Sequence, residues 1–208
     1  MNILLNQITK QYIKQTVIAN FSYHFEGGKS YAIYGHNGAG KSTLLQLIAG
    51  AISPNKGSIQ YQFNQLNIPV EEVYKHISFA APYMDLIEDM SMEEIIAFHF
   101  SFKVSNIENP LKVFIDLLQY DQKKLIRHYS SGMKQRLKLL LALFTSSQVL
   151  LLDEPTANFD DEGISWYRNL VHQYQNNRTL IIASAQHHDH DFCAFKIDIK
   201  DLSLQAIK

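Results

Sequence analysis

Gly35-His36-Asn37-Gly38-Ala39-Gly40-Lys41-Ser42 lies between a short apolar run ending in Ile33-Tyr34 and a stretch over 41–49 with apolar residues at 44, 45, 47, 48 and 49 that stops at Gly50. The pattern is G-x-x-x-x-G-K-[ST]. Glycines let the backbone curl until several N–H groups point inward, and a helix starting at Lys41 adds the positive end of its dipole. Lys41 supplies a point charge for phosphate oxygens, the Ser42 hydroxyl is a hard ligand for Mg²⁺, and Thr43 follows on the same first turn. A strand before and a helix after make this a phosphate-binding loop in an α/β fold. Alone, it leaves kinases, GTPases and motors open.

The rest of the chain fits around that loop. Residues 2–8, 17–25 and 30–33 alternate apolar and polar positions and read as strands, with a turn at Glu26-Gly27-Gly28-Lys29. A further strand is expected over 58–63. Ser91-Met92-Glu93-Glu94 has the spacing of a capping box and opens a helix carrying Ile95, Ile96, Phe98 and Phe102. Helices are also expected over 110–120 and 131–144. The run 149–152 is apolar throughout, as in a central parallel strand, and is followed by a helix near 164–174 and a strand near 179–183. The expectation is an α/β protein with a mainly parallel core sheet, an N-terminal antiparallel β layer, and a helical subdomain inserted at about 85–142, forming one domain over 1–208.

Composition narrows the function. Of 208 residues, 46% are hydrophobic and 19% charged, which suits one globular domain. A formal net charge of −1 carries no nucleic-acid footprint, so no nucleic-acid partner is expected. The lone Cys193 cannot pair internally and reads as a small buried hydrophobe in a reducing compartment. Polar Asn6, Gln7, Lys10, Lys14 and Gln15 interrupt the start, and no apolar run nears the roughly 20 residues of a membrane span. A cytoplasmic chain is expected, with any membrane role supplied by a partner.

Three further segments select a family. Tyr129-Ser130-Ser131-Gly132-Met133-Lys134-Gln135-Arg136 opens a helix, the 149–152 run ends in Asp153-Glu154-Pro155-Thr156, and Asn158-Phe159-Asp160 follows. Their order and spacing resemble the ABC ATPase family along essentially the whole chain. The Tyr129 segment is similar to its LSGGQ signature, Asp153-Glu154 to its Walker B pair, and 158–160 to its D-loop. The resemblance implies ATP and Mg²⁺ as cofactors, with residues 35–43 holding the phosphates, Ser42 and Asp153 holding the metal, and Glu154 polarising the attacking water. It also implies a head-to-tail homo- or heterodimer, in which Ser130, Ser131 and Gly132 cap the γ-phosphate bound by the opposite chain. Tyr12 sits near the position where the family stacks an aromatic ring on adenine. The short length resembles exporter-type subunits that drive a separate membrane permease from the inner face of the cell membrane. A soluble ABC ATPase without a permease, or a weakly hydrolysing ATP-binding regulator, are the alternatives.

The sequence also departs from the family. Pro82 stands where a Q-loop glutamine is usual, and Ala185 where a switch histidine is usual. Ser131 and Met133 replace the usual glycine and glutamine of the signature. His187, His188 and His190 lie close to Ala185, with His187 two residues too far along a strand to substitute directly. The 187–190 segment therefore reads as a solvated polar loop. With both groups missing, hydrolysis by the chain alone is expected to be slow.

Overall fold

The architecture follows from two hydrophobic patterns on one set of strands. The structure, a computed structural model, describes residues 1–13 and 15–200; residues 201–208, counted in the single domain expected from sequence, lie outside that range. Five strands form a wholly parallel sheet: β3 (Ser30–Tyr34), β6 (Ile77–Ala80), β7 (Val149–Asp153), β8 (Thr179–Ala183) and β9 (Phe195–Asp198). Their order is β6-β7-β8-β3-β9. Every residue of β7 and β8 is buried. Alternate side chains serve opposite faces, as the two-residue period of a strand requires. Leu150, Leu152, Leu180 and Ile182 join one core, while Val149, Leu151, Ile181 and Ala183 join the other.

The second core is closed by α1 (Lys41–Ile48) and by an antiparallel sheet of β1 (Asn2–Tyr12), β2 (Gln15–Phe25), β4 (Lys56–Phe63) and β5 (Leu66–Ile68), in the order β2-β1-β4-β5. The first is closed by α2 (Met92–Phe102), α3 (Pro110–Leu118), α4 (Ser131–Leu143) and α5 (Asp161–Tyr174). The sheet layers and the helical insertion between β6 and β7 are those expected from the sequence. The short strands β5 and β9 are additions. Helix α5 also starts earlier than its apolar period suggests, because Asp160 caps it by accepting from the Gly163 N–H at 2.9 Å.

The capping box at Ser91 forms in full: Glu94 N–H donates to Ser91 Oγ, and Ser91 N–H to Glu94 Oε2. It fixes the entry to α2, whose His99 lies 2.8 Å from Thr145 Oγ1. Thr145 spends its own proton on the Leu141 carbonyl at 2.7 Å, so His99 Nε2 is the donor. Burial, aided by Lys103, lowers the His99 pKa to about 4. The unfolded chain binds a proton near pH 6.5 that the folded chain refuses. Stability attributable to His99 is therefore complete above about pH 6.5, falls as pH drops from there toward 4, and levels off below, with a ceiling of about 3 kcal/mol. Urea midpoints measured between pH 7 and 5 are expected to fall less steeply in His99→Gln than in the wild type; equal slopes would refute this role.

Candidate functional site

The strand register places three chain segments at one edge. Ile33 pairs with Ala183, and Ala183 with Asp153, so β3, β7 and β8 end side by side. Two hydrogen bonds carry the alignment beyond the strands: Glu154 N–H to the Ala183 carbonyl at 2.8 Å, and Ser184 N–H to the Ile33 carbonyl at 3.1 Å. The carboxyl edge of such a sheet is where α/β ligand sites form. A cavity of about 820 Å³ opens there, lined by Asn37, Gly38, Gly40, Lys41, Ser42 and Thr43, with Pro82, Glu154, Thr156, Ala185 and His188 among the facing residues.

The loop over 35–40 needs its glycines. Gly40 has φ 102°, and a Cβ there would come within 2.7 Å of Val17 Cγ1. A side chain would meet both backbone strain and a packed neighbour. The curl brings Lys41, which is 5% exposed, back over its own loop. Its ammonium donates to the carbonyls of Gly35 at 3.0 Å and His36 at 3.3 Å, and lies 3.3 Å from Glu154 Oε1. Ala39 N–H closes the loop on the His36 carbonyl at 3.2 Å.

Asp153 is fully buried, and neither of its carboxylate oxygens has a hydrogen-bond partner. Burial raises its pKa. Ser42 and Tyr83 approach and temper that rise without meeting the geometry of full hydrogen bonds. An orphaned carboxylate beside a serine hydroxyl at a helix start is a hard-oxygen donor set that fits Mg²⁺. Tyr83, the residue after Pro82, has its phenol pushed up to about 12, mainly by burial.

Glu154 adopts φ 40°, a left-handed conformation that costs a non-glycine residue about 1–3 kcal/mol. Its side chain is held from three sides. Besides Lys41, Ala185 N–H donates to Oε1 at 3.1 Å, and Ser184 Oγ lies 2.8 Å from Oε2. Ser184 also lies 2.6 Å from Asp189 Oδ2, whose other oxygen accepts from Thr156 Oγ1 at 2.6 Å.

The 187–190 segment is not the solvated loop read from its composition. It forms a short 3-10 turn over His187–Asp189, with Asp189 fully buried and His190 3% exposed. Asp189 draws it inward through Ser184 and Thr156. His188, rather than His187, lines the cavity, with Nε2 3.1 Å from Thr156 Oγ1. Ser184, Asp189 and Tyr83 carry no motif of their own; the signal that finds them is their offset from Ala185 and Pro82.

Other expected residues lie apart. Tyr12 pairs with Gln15 across the β1–β2 hairpin, and it is Gln15 and Val17 that line the cavity. The Tyr12 ring is 48% exposed, with Lys10 Nζ 5.4 Å from its centre. Ser130 caps α4 by accepting from Met133 N–H at 3.2 Å. It shares a separate hollow with Gly132, Arg136 and Asn158, while Ser131 borders another with Pro82 and Lys134. Arg136 of α4 lies over the rings of Phe159 and Trp166, tying α4 to residues 158–160 and to α5.

A sequence profile described as ABC transporter matches residues 18–157. The chain belongs to the ABC transporter family. It is 32% identical to the ABC transporter ATP-binding protein YybJ of Bacillus subtilis, over 95% of this chain and 89% of that one. It is 28% identical to the bacitracin transport ATP-binding protein BcrA of Bacillus licheniformis, over 86% of this chain but 60% of that one. Among solved structures, an ABC transporter ATP-binding protein from Pyrococcus furiosus superposes with TM-score 0.81 at 21% identity, covering 97% of this chain and 98% of its own. An ATP-binding cassette dimer in a post-hydrolysis state with ADP and Pi superposes with TM-score 0.79 at 17% identity, covering 95% and 94%. An ABC ATPase domain is therefore the fold of this chain, and ATP its family's nucleotide.

Proposed function

We propose that this chain is the ATP-hydrolysing subunit of an ABC transporter, acting at the inner face of the cell membrane on a separate permease. The observation that carries the reading is the convergence of Lys41, Ser42 and Glu154 on one cavity at the carboxyl edge of a parallel sheet, with Asp153 buried at the end of β7 beside Ser42. Residues 35–43 wrap the phosphates, and Lys41 neutralises their charge. Ser42 and Asp153 hold Mg²⁺, which when bound draws charge from the phosphate oxygens. Glu154 accepts the proton of the water that attacks the γ-phosphate. Ser130, Ser131 and Gly132 lie outside their own chain's cavity, in keeping with the head-to-tail dimer that the family resemblance implies, in which they cap a nucleotide held by a second chain, identical or different. Tyr12 reaches adenine from the hairpin at the cavity rim.

A second, more apolar cavity of about 340 Å³ supports the permease partner. It lies among β6, α2 and α4, lined in part by Phe79, Leu86, Ile95, Phe98 and Leu141. Exposed Phe98 and Phe102 extend the apolar surface. Relatives named for transport of bacitracin and of lantibiotics support the same reading.

Ala185 and Pro82 place no catalytic side chain at the γ-phosphate end of the cavity. Loss of one such contact costs about 10²–10³-fold in rate. The purified chain is expected to hydrolyse ATP slowly, and Ala185→His to raise the rate. Phosphate release at saturating MgATP from the wild type, Ala185→His and Pro82→Gln/Ala185→His is the measurement. A fast wild type that the histidine does not improve would overturn the slow-site reading and leave Glu154, with or without His188, sufficient.

A further inference from the structure

The hydroxyl of Ser184 stands between two carboxyl groups, 2.8 Å from Glu154 Oε2 and 2.6 Å from Asp189 Oδ2. Both distances are hydrogen bonds. A serine hydroxyl has one proton, and an ionised carboxylate has none to give. With both carboxyls ionised, the single serine proton would be divided between two anions facing the same oxygen, whereas a proton on one carboxyl satisfies both contacts.

The surroundings decide which. Glu154 faces the Lys41 ammonium at 3.3 Å and accepts Ala185 N–H, and its side chain is 28% exposed. Asp189 is fully buried. Its Oδ1 accepts from Thr156 Oγ1 at 2.6 Å. The group nearest to offering it a cation is His188, 3.6 Å away and already bonded through the same Nε2 to Thr156. Tyr167 donates to the Asp189 backbone carbonyl and leaves the carboxyl alone. We infer that Asp189 is a neutral carboxylic acid at neutral pH, and that it serves as a positioning residue: its proton goes to Ser184 Oγ and turns the serine's own proton onto Glu154.

Ser184 is then satisfied in full. It accepts from Asp189 and from Gln186 N–H at 3.0 Å, and donates to Glu154. Burial, the main influence on the Asp189 carboxyl, shifts its pKa upward, in keeping with that assignment. The consequence concerns the base proposed above. A strained, left-handed Glu154 is aimed into the cavity by a donor whose direction a buried acid sets. This rests on the reading of Glu154 as the general base only for its effect on rate.

Asparagine tests it, because its amide matches the neutral acid: the oxygen accepts from Thr156 and the NH₂ donates to Ser184. Asp189→Asn is expected to keep the wild-type melting temperature and a kcat within about threefold. Asp189→Ala and Ser184→Ala are expected to lose roughly ten- to hundredfold in kcat with KM little changed. Infrared spectra of the chain with its aspartate carboxyls ¹³C-labelled should show a protonated carboxyl band at neutral pH that Asp189→Asn removes. Absence of that band overturns the proposal. So does an Asp189→Asn variant that fails to fold or loses as much activity as Asp189→Ala, since an ionised Asp189 is what an amide cannot replace. A wild type without ATPase activity counts against the function proposed above, while the infrared band still decides the state of Asp189.

Discussion

Glu154→Gln is expected to bind MgATP at wild-type affinity, to lose about 10²–10⁴-fold in turnover, and to double in mass when ATP is added. The structure gives reasons for each part. The Glu154 side chain does not build the fold: it is part-exposed at the cavity wall, and its contacts are Lys41, Ala185 N–H and Ser184. An amide can occupy the same space and accept from Ala185, with the Ser184 proton turning away from its NH₂. It cannot take a proton from water. ATP bound between two chains would then persist, because the step that releases them is blocked. The second chain's contribution is tested by adding Ser130→Arg. Arginine there would push a long cation toward the opposite nucleotide. It would also remove the bond from Met133 N–H, a cap worth about 1 kcal/mol, so a melting curve must accompany the result. Light scattering should show the ATP-dependent doubling in Glu154→Gln and its loss in the double variant. A mass that ATP does not change, or a doubling indifferent to Ser130, would refute the head-to-tail arrangement.

How far the sequence led, and where it stopped, has a physical pattern. The central strands were legible because parallel strands covered on both faces must be apolar throughout, as 149–152 and 179–183 are. The loop over 35–42 was legible because its glycines answer to backbone geometry that no other residue type meets as easily. The capping box at Ser91 was legible because its two bonds are local in the chain. What was missed depends on distant contacts. Phe195–Asp198 becomes a strand by pairing with β3, more than 150 residues earlier, and its short sequence has no period to announce this. The polar run 187–190 reads as surface because nothing local shows that Thr156, some 30 residues upstream, and Ser184 draw Asp189 inside. Likewise, counting along an ideal strand put His187 out of direct reach, but could not show that the chain turns into a 3-10 coil at 187–189 and presents His188 to the cavity. Motif residues were found by type and spacing, and the groups that orient them only by their partners.

Lys41→Ala should weaken MgATP binding by roughly hundredfold or more, the largest loss in affinity expected of any single substitution in this chain. Charge-assisted bonds to ionised groups are worth about 1.5–3 kcal/mol each, and a lysine beneath a phosphate chain makes more than one. The Lys41 side chain is 5% exposed, so water screens its charge little. It also holds the loop itself, through the carbonyls of Gly35 and His36, and it is the cation nearest to Glu154. Its removal therefore acts twice: the phosphates lose their counter-charge, and the curl that presents backbone N–H groups to them loses its internal tie. These contributions can be separated. Lys41→Met keeps much of the stem's bulk and removes the charge, so it tests the charge with less disturbance of packing. If charge dominates, calorimetry will show Lys41→Met as poor a binder as Lys41→Ala. If the tie dominates, Lys41→Met will lie much nearer the wild type. Affinity unchanged in both variants would refute the assignment of 35–43 as the phosphate site, because among the described residues no other lysine or arginine lines the cavity to take over from one buried against the loop and Glu154.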